Sequence, residues 1–249
     1  MNDKLLLYEE LSLNAHPSLQ TQFYDGWILR FANGYTKRAN SVNLIYPSIL
    51  NINDKLAECE KRYFEQGLSS IFKITDSHDV NIDQTLEQRG YAIIDPVYVM
   101  EMDLRNKVFP PTDCILTDYA DDEWLNAYFT FSCYTDDIKK LTAKQILDYV
   151  KSATICGRII KNGVTVACGS AVVERGYMSL WNVVVNEVER GKGYGKEICE
   201  SLLSAAQQIG AHTAFILVTQ DNTTAVNLYK KLGYKTIYSY WYRVKKGGA

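Results

Sequence analysis

The most informative segment of this sequence is Val183-Val184-Val185-Asn186-Glu187-Val188-Glu189-Arg190-Gly191-Lys192-Gly193-Tyr194-Gly195-Lys196. An apolar run of strand type, Leu180 to Val185, leads through a short polar turn into a loop with alternating glycines. A loop between a strand and a helix N-terminus presents free backbone N–H groups to an anion, and the helix dipole adds positive potential. The sequence therefore predicts a pyrophosphate-binding loop. The helix is predicted from apolar residues at helical spacing, which are Ile198, Leu202, Ala205 and Ile209.

The composition of the loop favours a phosphate site over an ordinary turn with solvated lysines. The glycines within Gly191–Gly195 have no Cβ, so phosphate oxygens can approach the backbone, and each glycine costs about 0.5–1 kcal/mol relative to Ala in regular structure. Arg190, Lys192 and Lys196 add cations around the same place. No Ser or Thr follows Lys196, as a P-loop requires, and the third glycine comes one position too early for a dinucleotide-binding loop.

A second motif lies downstream of the loop and its helix. The loop reads Arg-x-x-Gly-x-Gly after a hydrophobic strand, and it resembles the coenzyme A loop of the GCN5-related N-acetyltransferase (GNAT) superfamily. The downstream motif is similar to the Asn-x-x-Ala-x-x-Leu-Tyr-x-x-x-Gly-Phe/Tyr element of that superfamily. Both motifs occur in the family's order, separated by a helix and a strand. The residues that match the second motif are Asn222, Ala225, Leu228, Tyr229, Gly233 and Tyr234.

The resemblance implies an enzyme that transfers an acetyl group from acetyl-CoA directly to a primary amine and releases CoA. The backbone of Val183 and Val185 is implied to bind the pantetheine amides as an added strand does. The N–H near Val183 is implied to stabilise the oxyanion of the tetrahedral intermediate. The residues that the resemblance assigns to the cofactor are Val183, Val185, Arg190, Gly191, Lys192, Gly193, Tyr194, Gly195, Lys196 and Asn222.

Tyr229 is the residue to which the resemblance assigns a catalytic role. It lies with Ala225 and Leu232 on one apolar helix face, a position that is also common for a core tyrosine. In the family reading, Tyr229 is the general acid that returns a proton to the departing CoA thiolate. A phenol ionises only near pH 10, so it carries that proton at neutral pH. Asn222 is read as the N-cap of this helix, with or without a cofactor contact.

The general base remains open at this stage. Some relatives have a glutamate five residues before the Asn of the second motif, where this chain has Leu217. Glu174 and Glu187 are candidates, although each also fits a solvated turn. Asp136-Asp137 lie where relatives contact the acceptor, and they also fit a capping role. A chain of water molecules is the remaining alternative.

The acceptor is expected to be a small-molecule or peptide amine. Tyr238, Tyr240 and Tyr242 alternate on one face of the last predicted strand, where they either line an acceptor cleft or pack in the core. Lys37 and Arg38 are possible further contributors to such a cleft.

A faint internal repeat divides the chain. Ser70–Thr75 matches Ala214–Thr219 at an offset of 144 (214 − 70), and Gly90-Tyr91 matches Gly233-Tyr234 at an offset of 143 (233 − 90). At the first offset the glycine loop falls on Tyr46–Asn51, which has no glycine and no cation. The repeat predicts a tandem GNAT arrangement with a degenerate first half, and the alternative is that these short patterns recur by chance.

Pro110-Pro111 interrupts regular structure and marks the expected boundary. We expect a degenerate GNAT-like domain without a cofactor loop at 1–108, and a catalytic acetyl-CoA-binding domain at 112–249. The expected fold class is α+β, with each domain a mixed, mostly antiparallel sheet packed by helices. For the second half the pattern predicts helices at 121–131, 142–151, 193–209 and 223–232, and strands at 154–161, 164–173, 177–185, 212–219 and 235–243.

The composition restricts the class of protein. The chain has 249 residues, of which 47% are hydrophobic and 22% charged, as in a soluble globular protein. A net charge of −2 gives no general attraction for nucleic acid or anionic membranes. The six cysteines and three histidines are scattered, so we expect reduced thiols, a cytoplasmic location and no metal site. We expect a monomer or a homodimer. The competing functional class is an acyl-CoA-binding regulatory or interaction module without turnover.

Overall fold

The computed structural model describes residues 3–78 and 80–247 of the chain. Two single-turn 3-10 segments, Lys37–Ala39 and Glu187–Glu189, accompany its helices and strands. The described elements, in chain order, are α1 (Asp3–Ala15), β1 (Gln20–Tyr24), β2 (Trp27–Phe31), β3 (Val42–Leu44), α2 (Ile52–Phe64), β4 (Ser70–Thr75), α3 (Val80–Gln88), β5 (Ala92–Asp103), β6 (Ile115–Thr117), α4 (Asp122–Phe131), α5 (Asp137–Tyr149), β7 (Ala153–Lys161), β8 (Val164–Glu174), β9 (Tyr177–Val185), α6 (Tyr194–Gln208), β10 (Thr213–Thr219), α7 (Thr223–Leu232) and β11 (Lys235–Lys245).

The chain forms two compact units. Unit 1 takes the described parts of Met1–Tyr98 and Tyr238–Ala249 together with Thr219–Asp221, and unit 2 takes Val99–Val218 and Asn222–Ile237. These units do not follow the predicted division, because the end of the chain belongs to unit 1. The expected boundary between 108 and 112 therefore stays a proposal about domains.

Unit 1 contains a mixed sheet in the order β1-β2-β3-β4-β11. The first three strands are antiparallel, β3 and β4 are parallel, and β11 runs antiparallel to β4 with Tyr240 opposite Thr75. The β1–β2 turn has positive φ at Asp25 (43°) and Gly26 (80°), as a two-residue hairpin turn favours. Asn33 and Gly34, which follow β2, are also left-handed, with φ of 51° and 68°.

Unit 2 contains strands in the order β10-β9-β8-β7-β6. Strands β9 and β10 are parallel, and the pairs from β9 to β6 are antiparallel. Residues 166–173 of β8 are all buried, because α6 packs on one face of the strand and α4 on the other. Each predicted element of this half exists. Helix α5 begins at Asp137 rather than at 142 because the side chain of Asp136 caps it, accepting from the N–H groups of Ile138 and Lys139.

The predicted repeat is confirmed in the order of elements. The series β1-β2-β3-α2-β4-α3-β5 recurs along the chain as β7-β8-β9-α6-β10-α7-β11. A left-handed glycine follows the end of each of the helices α3 and α7, Gly90 (φ 84°) and Gly233 (φ 105°). The N–H of the tyrosine that follows each glycine bonds to the carbonyl five residues back, at 3.0 Å in both places. The fold is α+β in both units, as the sequence predicts.

Candidate functional site

The position of α6 is set by two glycines in the sheet of unit 2. A Cβ on Gly157 would lie 3.0 Å from the side chain of Ile198, and a Cβ on Gly169 would lie 3.1 Å from Leu202. Since only glycine leaves this space, α6 packs directly against β7 and β8. The N-terminus of α6 consequently lies beside the end of β9.

The glycine loop has a backbone that requires glycine at two of its three positions. Gly191 and Gly193 have φ of 80° and 90°, a region that side chains with a Cβ rarely adopt. A Cβ at either position would have no neighbour within 4 Å, so the space beside them is open to a ligand. Gly195 is helical instead, and a Cβ there would make ordinary contacts with Leu228 (3.6 Å) and Val185 (3.7 Å). Packing within the protein therefore does not explain Gly195.

The first turn of α6 has no capping side chain, because Gly193 is its N-cap residue. The N–H groups of Lys196 and Glu197 both bond to the carbonyl of Gly193, at 3.0 and 3.1 Å. Helix α7, by contrast, is capped by Asn222, whose Oδ1 accepts from the N–H of Ala225 at 3.1 Å. An uncapped helix start beside open space is suited to an anionic ligand.

Three exposed cations surround this helix start, and each has a carboxylate partner that the sequence reasoning did not consider. Exposed pairs of this kind contribute only about 0–1 kcal/mol, so a ligand phosphate can compete for the cations. The side chains of Arg190, Lys192 and Lys196 are 61%, 54% and 56% exposed. The hydrogen bond with Glu189 raises the pKa of Lys192. The pairs are Arg190–Glu187 (4.0 Å), Lys192–Glu189 (2.9 Å) and Lys196–Glu200 (2.9 Å).

The end of β9 contains a β-bulge. Val184 lies opposite Cys168 and Trp181 lies opposite Ser170, so two residues of β9, 182 and 183, face the single residue 169 of β8. Asn182 has a φ of 55°. Bulges commonly re-aim the backbone next to functional sites. A glycine inside the β8 pattern was the sequence signal for this bulge, and the sequence reasoning did not use it.

Tyr229 lies on α7, which packs beside the first turns of α6. The side chain is 5% exposed, and its ring packs edge-on against Tyr234 with centroids 5.8 Å apart. Burial raises the pKa of Tyr229, and the nearby Cys199 of α6 adds to the shift. The phenol therefore keeps its proton throughout the neutral range, as a general acid must.

In unit 1, the loop at 46–51 corresponds to the glycine loop, and it binds a carboxylate of the protein itself. Asp25 accepts a hydrogen bond from the Ser48 hydroxyl (2.6 Å) and from the N–H groups of Ile49 (3.2 Å) and Leu50 (3.0 Å). The bonds from Ser48 and Leu50 are the main reason that the pKa of Asp25 lies below its usual range. The buried Lys55 contacts the same carboxylate at 3.0 Å. In unit 1 an aspartate thus accepts from the N–H groups of the loop before α2.

Of the nominated acids Glu174, Glu187 and Asp136, one lies beside the glycine loop. Glu174 lies at the other end of β9, where it accepts from the hydroxyl of Ser152 at 3.0 Å. Glu187 is exposed in the loop beside Arg190, and Asp136 caps α5. Tyr238 and Tyr240 of β11 are buried in unit 1, which favours the core reading for these two. Tyr242 is also largely buried, but it lines a cavity of about 260 Å³ in unit 1 together with Lys37 and Arg38. Lys37 forms an ion pair with Asp95 at 2.7 Å in unit 1.

The residues at the start of α6 fit a pyrophosphate group. Open left-handed glycines, an uncapped first turn and three exposed cations converge there, and the strand end at Val185 lies against Gly195. Among residues 3–78 and 80–247, no group of three or more His, Cys, Asp or Glu side chains is arranged to bind a metal ion. Within the same residues, no helix has the length and apolarity needed to cross a membrane.

Comparisons with known proteins cover nearly the whole chain. The model of the family described as "Probable histone acetyltransferase Rv0428c C-terminal" matches residues 7–243. The "Uncharacterized N-acetyltransferase YobR" of Bacillus subtilis (strain 168) is 27% identical over 249 residues, covering 98% of this chain and 100% of that protein. A GCN5-related N-acetyltransferase from Kribbella flavida is similar in structure, with a TM-score of 0.71 at 14% identity over 98% of this chain and 96% of that chain. A tandem GNAT protein from the clavulanic acid biosynthesis pathway has a TM-score of 0.69 at 11% identity, over 97% and 88% of the two chains.

Proposed function

The chain belongs to the family described as "Probable histone acetyltransferase Rv0428c C-terminal", within the tandem form of the GNAT superfamily, and we propose that it transfers acetyl groups from acetyl-CoA to a primary amine. Family membership supports N-acetyltransferase activity in general. The observation that carries the finer proposal is the uncapped, glycine-lined start of α6 beside the bulged end of β9. We propose one such site per chain, in unit 2.

Binding of the coenzyme is assigned to the loop and to β9. The backbone N–H groups of Gly191–Gly195 donate to the pyrophosphate, and Arg190, Lys192 and Lys196 exchange their carboxylate partners for it. The backbone of Val183 and Val185 binds the pantetheine amides as an added strand. The N–H at the bulge stabilises negative charge that develops on the acetyl oxygen.

Proton return to the leaving thiolate is assigned to Tyr229. Acetyl-CoA supplies an acetyl group activated as a thioester, and attack by a neutral amine leaves a thiolate that needs a proton. The phenol of Tyr229 carries a proton at neutral pH, as an ordinary tyrosine does, and burial raises its pKa further. We assign no residue as the base. Asn222 holds the start of the same helix as its N-cap.

We also propose what the sequence predicts about domains, location, oligomeric state and acceptor. Residues 112–249 form the catalytic domain and 1–108 a degenerate one, in a cytoplasmic monomer or homodimer that acts on a small-molecule or peptide amine. The Asp25 carboxylate in the loop of unit 1 supports a single coenzyme site, because the backbone donors of Ile49 and Leu50 are already engaged.

Calorimetric titration with CoA tests the site. We expect one site per chain, and a large loss of affinity in Gly193→Val, which places a branched side chain where phosphate must approach. Gly210→Val is the matched control, since Gly210 has a φ of 93° and open space but lies at the other end of α6. Two equivalent sites, no site, or equal losses in both variants would contradict the proposal. Incubation with acetyl-CoA and an amine library, followed through the release of free thiol, then tests turnover and identifies the acceptor.

The same amine screen tests a second candidate function. The alternative is an acyl-CoA-binding regulatory module without turnover, which the positions of Glu174, away from the loop, and Asp136, a helix cap, favour, whereas Glu187 beside the loop does not. This module would bind CoA with the same stoichiometry and release no thiol above background with any amine.

A further inference from the structure

Unit 1 contains a cavity of about 260 Å³ that is lined almost entirely by side chains with a hydroxyl or a charge. All eight lining residues belong to unit 1, and Val97 is the one apolar residue among them. The two basic residues nominated from the sequence, Lys37 and Arg38, are part of this lining. The volume corresponds to about nine water molecules at ~30 Å³ each, so the space suits a molecule about the size of a free amino acid.

The loop that carries the two cations is held in one conformation by buried groups. Asn40 is 3% exposed, and its side-chain oxygen accepts from the N–H of Ala32 at 2.7 Å. The side-chain amide of Asn40 donates to the carbonyl of Thr36 at 2.8 Å. The carbonyl of Arg38 accepts from the buried guanidinium of Arg30 at 2.6 Å. The backbone around the two cations is therefore preorganised, which lowers the entropic cost of binding a ligand.

The charges around the cavity favour an anionic ligand. The lining holds two cations and one carboxylate, and that carboxylate, Asp95, is paired with Lys37 at 2.7 Å. The buried Arg30 adds positive charge behind Arg38, because among the described residues its guanidinium donates only to backbone carbonyls. Burial lowers the pKa of Arg30 to about 10, so this side chain stays charged at neutral pH. Burial also lowers the pKa of His16, and the charges of Arg30 and Arg38 lower it further.

The carboxylate nearest to Arg30 is already neutralised. Both oxygens of Glu9 accept from the Lys73 ammonium, at 2.7 and 2.6 Å, and the Tyr238 hydroxyl donates to one of them at 2.8 Å. All three side chains are buried in unit 1. Because Glu9 is paired in this way, the positive charge of Arg30 and Arg38 is felt in the cavity.

Two lining groups are suited to bind a carboxylate directly. The planar guanidinium of Arg38 can donate two parallel hydrogen bonds to it. The hydroxyl of Thr219 makes no hydrogen bond to any described residue, and it can donate a third. The side chains of the Lys37–Asp95 pair are 35% and 43% exposed, so this pair is weak enough for either partner to turn to a polar group of the ligand.

We propose that this cavity binds a small molecule with one carboxylate group, about the size of an amino acid, and that Arg38 and Thr219 bind that carboxylate. A phosphate dianion fits less well, because Asp95 in the same lining repels a second negative charge. The site lies in the unit without the glycine loop, so it gives unit 1 a binding function of its own. It is independent of the proposed acetyl transfer, and it holds even if that proposal fails.

Thermal-shift titration of the full chain tests the site. The probes are free amino acids and the corresponding α-hydroxy acids, each beside its carboxamide, which lacks the negative charge, and sodium chloride controls for ionic strength. We expect at least one carboxylate to raise Tm in a saturable manner, because a ligand that binds the folded state stabilises it. Its carboxamide should leave Tm unchanged. Binding of either an amino acid or a hydroxy acid supports the proposal, since both carry the carboxylate.

Three variants then locate the bound carboxylate. Arg38→Gln should weaken binding about 10- to 100-fold, as the loss of charge-assisted hydrogen bonds predicts. Thr219→Val keeps the shape of the side chain and removes the hydroxyl, so it should weaken binding about 3- to 10-fold, and it replaces Arg38→Gln if that variant does not fold. Arg62→Gln is the matched control, at a partly buried arginine of unit 1 outside the lining, and should bind as the native chain does.

Three results would overturn the proposal. The first is no saturable shift of Tm with any carboxylate of the panel. The second is an equal shift with the carboxamides, which would remove charge as the basis of recognition. The third is native-like binding in the folded Arg38→Gln and Thr219→Val variants, which would place the carboxylate elsewhere in the protein.

Discussion

Each of the two repeats has a tyrosine at the same position, and among the described residues only one of the two hydroxyl groups has a hydrogen-bond partner. Tyr91 and Tyr234 each follow a left-handed glycine at a helix end, and each is 2% exposed. The Tyr91 hydroxyl donates to Ser70 at 2.7 Å. The Tyr234 hydroxyl has no hydrogen-bond partner within the described part of the chain, and burial raises its pKa well above the usual value. Substitution by Phe removes the same atom from both, so the pair isolates the effect of the partner.

The magnitudes follow from this difference. A buried hydroxyl without a partner costs about 1–3 kcal/mol, so Tyr234→Phe should raise the free energy of unfolding by about 1 kcal/mol. Tyr91→Phe should lower it by about 1–2 kcal/mol, because Ser70 is fully buried and loses its donor. A change of 1 kcal/mol moves the Tm of a chain of this size by about 2–4 °C. The two variants should therefore shift Tm in opposite directions.

Differential scanning calorimetry of both variants beside the native chain provides the measurement. Far-UV circular dichroism tests whether each variant keeps its fold. The phenylalanine ring at position 234 can keep the contact that the Tyr234 ring makes with Tyr229. If Tyr234→Phe lowers Tm as much as Tyr91→Phe does, the hydroxyl has a partner such as a buried water, and the reasoning is wrong.

Four further outcomes are expected. Gly195→Ala should stabilise α6 by about 0.5–1 kcal/mol, since the Cβ has room, yet weaken CoA binding; unchanged affinity in calorimetry would place the phosphate elsewhere. Tyr229→Phe should lower kcat by about 10²–10⁴-fold with little change in the Kd of CoA, and an unchanged kcat in a chemistry-limited assay would make Tyr229 a core residue. The fragment 106–249 should be insoluble on expression, because it keeps β11 and lacks β4, its partner; a soluble fragment with full activity would contradict this. The bond with Arg243 lowers the pKa of Asp83, so the stability it provides is complete above the ordinary value near 4 and is lost as pH falls toward the lower folded value. Asp83→Asn should flatten the fall of stability with acid in urea unfolding, and a parallel curve would contradict the assignment.

Patterns within a few residues were sufficient to predict most elements and the candidate loop. Strand and helix follow from apolar periodicity, and Gly191 and Gly193 mark a left-handed loop, because these properties depend on neighbours in the chain. The start of α5 was missed by five residues (142 − 137), since the capping side chain of Asp136 outweighed the apolar pattern. The roles of Tyr229 and of the loop residues came from motif resemblance, and they stay predictions.

Other features depend on residues far apart in sequence, and no local pattern contains them. The strand β11 completes the sheet of unit 1 by pairing with β4, about 170 residues earlier, through backbone bonds that no side-chain pattern specifies. The carboxylate of Asp25 meets the N–H of Leu50 only because a hairpin turn folds against the loop before α2. The bulge at Asn182 likewise arises where β9 pairs with β8 at Gly169. Local sequence thus sets backbone conformation, whereas tertiary packing selects which donors and acceptors meet, and that selection shapes the site.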